Sequence, residues 1–143
     1  MMSFFLSIAG MREMSFFEWD SSLDVGVDEL NDQHKELIAR METVYQTNES
    51  GTKDEIVAKV QHLMDYVVLH FTYEEKYLES IDYPTLEAHK KIHSHLVSEM
   101  TEFAKDFVNG PSEKIEKSFM TFLEVWVSSH ISIIDGKYNP EDQ

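Results

Sequence analysis

Three short interruptions constrain this chain more than any other feature of it. "TNESGTKD" at 47–54, "DYP" at 82–84 and "NGP" at 109–111 are clusters of turn-forming residues. Between them the apolar residues recur at the three- and four-residue spacing of a helix. The first periodic segment runs over about 28–46, with Leu30, Leu37, Ile38, Met41 and Tyr45 on one side and Asp28 placed to cap it. The second covers about 53–80 and carries Ile56, Val60, Leu63, Met64, Val67, Phe71 and Leu78. Pro84 stops it, because proline suits the first turn of a helix and not its interior. The third covers about 85–108, with Leu86, Ile92, Leu96, Met100, Phe103 and Phe107, and the fourth about 112–133, with Ile115, Phe119, Phe122, Leu123 and Trp126. Strand signals are sparse. Residues 15–27 mix aromatics with Ser, Asp and Gly and read as an irregular arm. Short connections make neighbouring helices antiparallel, so the expected architecture is all-α: an up-down-up-down four-helix bundle with an irregular N-terminal arm.

The chain is 143 residues long, which suits one domain with one core. A net charge of −15 argues against a nucleic-acid or anionic-membrane partner, since both require a basic surface. With no Cys, disulfides, thiolate metal sites and Cys nucleophiles are excluded. No apolar run approaches the ~20 residues that span a bilayer. The opening MMSFFLSIAGMREM has no basic residue before its apolar stretch and makes a poor signal peptide, so a cytoplasmic protein is expected. "MSFF" occurs at 2–5 and again at 14–17, which leaves Met1 and Met14 both as candidate starts. Residues 1–14 read as an extension outside the fold and 15–143 as the four-helix domain, a monomer by default.

The histidines then decide what the bundle holds. Side chains four apart share a helix face, while those two apart lie nearly opposite. In "EAHKKIHSH" at 87–95, His89 and His93 are co-facial and His95 is not. In "HFTYE" His70 and Glu74 are four apart. His130 and Asp135 are five apart, about 140° around a regular helix, and come together only where the helix distorts or ends. The first helix adds His34. Each helix thus offers at least one imidazole, and inward side chains at similar depth can converge on one core site. Imidazole and carboxylate are donors for iron, zinc or manganese. Seven donors exceed the four of one tetrahedral zinc and suit two metals bridged by the carboxylates. His62 and His95 read as surface residues, with a role behind the site left open for His62, and Glu75 as a solvated charge about 100° from Glu74.

The ordered pattern of His34, His70-xxx-Glu74, His89-xxx-His93 and His130-xxxx-Asp135 resembles that of the hemerythrin family, specifically its single-domain bacterial members. "NDQHKEL" at 31–37, "HFTYEE" at 70–75 and "WVSSHISIID" at 126–135 are similar to the family's local wording, and the resemblance covers roughly 15–140. It implies a non-haem di-iron centre. His89, His93 and His130 would bind one iron and His34 and His70 the other, with Glu74, Asp135 and an oxo or hydroxo group bridging them. It further implies reversible O2 binding, with O2 held as hydroperoxide on the two-His iron, in an oxygen carrier or store that is not an enzyme. Trp126, Leu37, Phe71, Val127 and Ile131 are the candidate walls of the O2 pocket. A protein that receives the O2 is an implied partner. The alternative is an oxygen or redox sensor, or a di-iron redox enzyme acting on peroxide, NO or Fe(II). The imidazole-rich donor set fits carriage better than the carboxylate-rich sets of di-iron oxidases.

Overall fold

The computed structural model describes residues 18–134, with side chains to Ile131. Residues 1–14, the expected extension, and Asp135, the expected second carboxylate, lie outside the described residues. Among the described residues there are four α-helices, a short 3-10 turn at Ser21–Leu23 and no strand, and the α-helices are arranged as the expected antiparallel four-helix bundle. Helix α1 is Asp28–Ser50, α2 is Lys53–Ser80, α3 is Leu86–Asn109 and α4 is Lys117–Trp126, which continues as a π-helix over Val127–Ile134. Among the described residues no helix is long and apolar enough to cross a membrane.

The apolar stripes read from the sequence form one core. Leu30, Leu37, Met41, Ile56, Leu63, Leu78, Met100 and Leu123 are buried in it. Helix α3 is the loosest member: its apolar side chains Leu96, Val97, Phe103 and Phe107 are only partly buried against that core. Phe103 joins α3 to α4 by packing on Phe119 and Phe122, with ring centroids 4.8 and 5.5 Å apart. Arg40 ties α1 to α2, donating from Nη1 to the His62 carbonyl at 3.0 Å and lying 4.6 Å over the Tyr66 ring.

Three boundaries differ from the sequence expectation. Helix α1 runs on to Ser50, so only Gly51 and Thr52 separate it from α2. Polar residues that mark loops are absorbed into the last turns, where Thr43, Thr47 and Ser50 donate their hydroxyls to carbonyls four residues back. The turn closes because Thr52 and Glu55 form a reciprocal capping box. Second, Asp28 is the first helical residue and not the cap; Val27 holds that position, with no side-chain cap bond. Asn31 does the joining instead: its Oδ1 accepts from Val25 N at 3.0 Å and its Nδ2 donates to Asp24 at 2.8 Å. That pair ties the arm down, Gly26 turns it with φ 79°, and Leu23 and Val25 are buried. Third, α4 begins at Lys117 and not near 112. Residues 112–116 are held as a loop by Asn48, which accepts from Ile115 N at 2.8 Å and donates to Ile115 O at 3.4 Å. Lys53 and Lys114 stitch the same end, donating to Gly110 O at 2.7 Å and Gly51 O at 3.0 Å.

Candidate metal centre

The opposite end of the bundle holds the histidines. His34 on α1, His70 and Glu74 on α2, His89 and His93 on α3 and His130 on the π-helix are all buried in the interior. Each reaches the core for the reason the sequence gives: it replaces an apolar residue on the inward stripe. His34 precedes Leu37 and Ile38 by three and four, and His70 follows Val67 by three.

Glu74 is the centre of the arrangement. Its carboxylate has no solvent exposure. Oε1 lies 2.6 Å from His89 Nε2 and 2.9 Å from His93 Nε2. Oε2 lies 3.4 Å from His70 Nε2 and 3.7 Å from His34 Nε2. The two oxygens of one carboxylate therefore face two different sets of imidazoles. Donor atoms of Glu74, His89, His93 and His130 converge within 4.8 Å, and so do those of His34, His70 and Glu74. Burial pushes the Glu74 carboxyl up, but hydrogen bonds from His34, His70, His89 and His93 outweigh it and hold the group well below the usual carboxylate range.

Two further residues fix the imidazoles, and neither was expected from the sequence. Gln33 Oε1 lies 2.7 Å from His70 Nδ1, and Glu75 Oε2 lies 2.8 Å from His93 Nδ1. Carbonyl and carboxylate oxygens only accept, so each Nδ1 donates. In the neutral rings Nε2 then carries a lone pair and points it at the Glu74 carboxylate. Two lone pairs at 2.9 Å repel unless a proton or a metal ion lies between them. Buried imidazoles that turn Nε2 to one anionic carboxylate are thus a donor set that fits divalent cations once the protons between them leave, with outer oxygens orienting the rings. Glu75 is not the solvated charge that its 100° offset suggested: its side chain is 26% exposed and bonded across to α3. The signal that could have found both residues is their position immediately beside His34 and Glu74.

The π-helix addresses the His130–Asp135 spacing. Its hydrogen bonds run from i to i+5, so residues five apart stack on one side, unlike those of a regular helix. It covers 127–134 and Asp135 lies just beyond the described residues. The aromatic walls also have definite places. Phe71 stacks on His93 with centroids 3.7 Å apart and planes within 1°. Trp126 stacks on His130 at 6.0 Å and meets Phe71 edge-on at 5.8 Å. Both rings therefore lie against the three-histidine group, although Phe71 also borders His70 at 5.8 Å. Leu37, Val127 and Ile131 are buried in the same core. An open groove of about 500 Å³ runs between α3 and α4 past Ile92, Leu96, Phe122, Val125 and Trp126 to His130. His62 and His95 are on the surface: the His62 ring is exposed, and His95 lies 3.5 Å from Glu99 one turn along α3.

Comparison with known proteins places this geometry. Residues 25–141 match the family model described as the hemerythrin HHE cation binding domain. A bacteriohemerythrin of Methylococcus capsulatus is 30% identical over 128 residues, covering 89% of this chain and 97% of the relative. One from Stenotrophomonas maltophilia is 27% identical over 125 residues, covering 87% and 80%. The crystal structure of a wild-type hemerythrin superposes with a TM-score of 0.80 at 30% identity, covering 87% of this chain and 95% of that one.

Proposed function

The chain belongs to the hemerythrin family, and from that premise we propose that its two buried imidazole–carboxylate groups hold a pair of non-haem irons and bind O2 reversibly, as an oxygen carrier or store. His89, His93 and His130 would hold one iron and His34 and His70 the other, with Glu74 shared between them and Asp135 as a second bridging carboxylate. The observation that supports this most directly is Glu74, whose two oxygens face separate imidazole sets.

Bound there, a di-iron pair supplies the two electrons that reversible O2 binding takes up and returns. The chain's own residues account for the rest. The five imidazoles carry no charge when they act as ligands, so the charge of the cations is offset by the carboxylates alone among the protein donors. Gln33 and Glu75 hold His70 and His93 as Nδ1–H donors and keep each Nε2 turned inward. Phe71 and Trp126 keep water from the imidazoles they cover. The groove between α3 and α4, lined largely by apolar side chains, suits passage of a small apolar molecule to the His130 side. The same donor set supports a non-enzymatic role, because oxidases of this architecture use more carboxylates.

The test is the visible spectrum of anaerobic, iron-loaded protein as air is admitted and then withdrawn, with iron measured per chain. A colourless form that gains bands in air and loses them under vacuum, at two irons per chain, is the expected result. Immediate and irreversible conversion in air would overturn the carrier reading in favour of sensing or redox catalysis. An iron content far from two would overturn the di-iron assignment.

A further inference from the structure

The two imidazole groups differ in what stands behind them. His93, in the three-histidine group, donates from Nδ1 to a carboxylate, Glu75 Oε2 at 2.8 Å. His70, in the two-histidine group, donates from Nδ1 to a neutral amide, Gln33 Oε1 at 2.7 Å. Both contacts cross between helices, α3 to α2 and α2 to α1. Glu75 and Glu74 are sequence neighbours on α2, and they hold the two ends of one ring: Glu75 at Nδ1 and Glu74 at Nε2, 2.9 Å away. A carboxylate acceptor at Nδ1–H makes Nε2 a more basic donor than an amide does, and it adds a negative charge one ring away from any cation bound there. The ring is held on one face as well, since Phe71 lies flat on it.

We infer that Glu75 is a positioning residue that makes the two cation positions unequal, so that the three-histidine position binds its cation first and more tightly. This rests on reading the site as one for two cations. The difference lies in charge and not in hydrogen-bond count, because Gln33 gives His70 the same orientation without the anion. Loading is then ordered. The first cation fills the position backed by Glu75 and fixes Glu74, whose other oxygen, facing His70 and His34, is left as an oriented ligand for the second.

Zn(II) titration of metal-free protein by calorimetry reads this without any oxygen chemistry. The wild type should show two cations per chain in two resolved steps, and His130→Ala identifies the step that belongs to the three-histidine position. Glu75→Leu removes both the charge and the acceptor and should weaken that step about 10- to 100-fold while leaving the other within about twofold. Glu75→Gln keeps an acceptor and drops the charge, so it should fall between the two. In metal-free protein, nitrogen NMR of His93 should report Nδ1–H in the wild type and in Glu75→Gln, and in Glu75→Leu its loss, with the proton on Nε2 facing Glu74. Unchanged affinity in Glu75→Leu, or equal weakening of both steps, would overturn the inference. If the wild type takes up a single cation, the two-cation reading fails and the inequality fails with it, whereas two resolved steps with Glu75→Leu unchanged would overturn the Glu75 inference alone.

Discussion

At Glu74 two opposing effects meet, and their balance is visible in the acid stability of the fold. Burial disfavours its charge, whereas four imidazoles donate to it and prevail. A carboxylate whose folded value is depressed stabilises the fold above its unfolded value. That contribution is lost as the pH falls through the lower, folded one. Metal-free protein should therefore lose stability progressively below the usual glutamate value of 4.5. Glu74→Gln should flatten that part of a urea-denaturation series run between about pH 3 and 7. Glu74→Ala should also abolish stoichiometric iron, whereas His95→Ala should retain it, because the His95 side chain is 74% exposed. Six of the residues gathered in the interior were legible: two i, i+4 pairs, His34 as a lone histidine on an apolar stripe, and His130 from its five-residue spacing to Asp135. Gln33 and Glu75 were not legible, for a physical reason. Angular offset on a residue's own helix says which way its Cβ points, but a long side chain can still bend across to a neighbouring helix. Asp135 remains an expectation from its spacing.

The existence of each helix was written in its apolar period, and the second helix was bounded correctly by its turn chemistry. Of the limits that failed, the start of the fourth helix was set by a contact distant in sequence. The 112–116 loop is decided by Asn48, which lies 67 residues before Ile115, and no local pattern carries that information. Asn48→Ala should strand the Ile115 N–H and cost about 1–3 kcal/mol in chemical denaturation, with iron binding at the far end of the bundle unchanged. Thr52→Ala removes one arm of the capping box in the two-residue α1–α2 turn and should cost about 1 kcal/mol, read in the same way. The π-helix was foreshadowed only as a five-residue spacing that a regular helix does not satisfy. Helix α3 supplies a test of access. Leu96 lines the groove that leads to His130, and Leu96→Trp should fill part of it. Stopped-flow mixing should then show slower O2 association with iron content unchanged. An unaltered rate would mean that O2 enters elsewhere.

Across the whole molecule the two ends of the bundle have different work. One end is closed by bonds between the chain's own groups: Asn48 to Ile115, Lys53 to Gly110, Lys114 to Gly51. The other gathers imidazoles and a carboxylate from all four helical segments into an interior that excludes water. Without a metal, protons take the places between those imidazoles and the shared carboxylate. With a metal they become four anchors on one point. Binding free energy is then folding free energy, because the unfolded chain offers no such site. At free Fe(II) one hundred times its dissociation constant, a single site adds about 2.7 kcal/mol. For a chain of this size each kcal/mol raises Tm by roughly 2–4 °C or somewhat more. Anaerobic Fe(II) should therefore raise the melting temperature of chelator-treated protein by about 5–10 °C for one site alone, and further for two. The rise should grow with the logarithm of free iron in scanning calorimetry. His89→Ala should remove most of the increment, while Asn48→Ala should lower both curves together and preserve the gap between them. A gap that shrank in Asn48→Ala would mean that the stitched end and the metal end are coupled through the core, and that the bundle does not divide its work in this way.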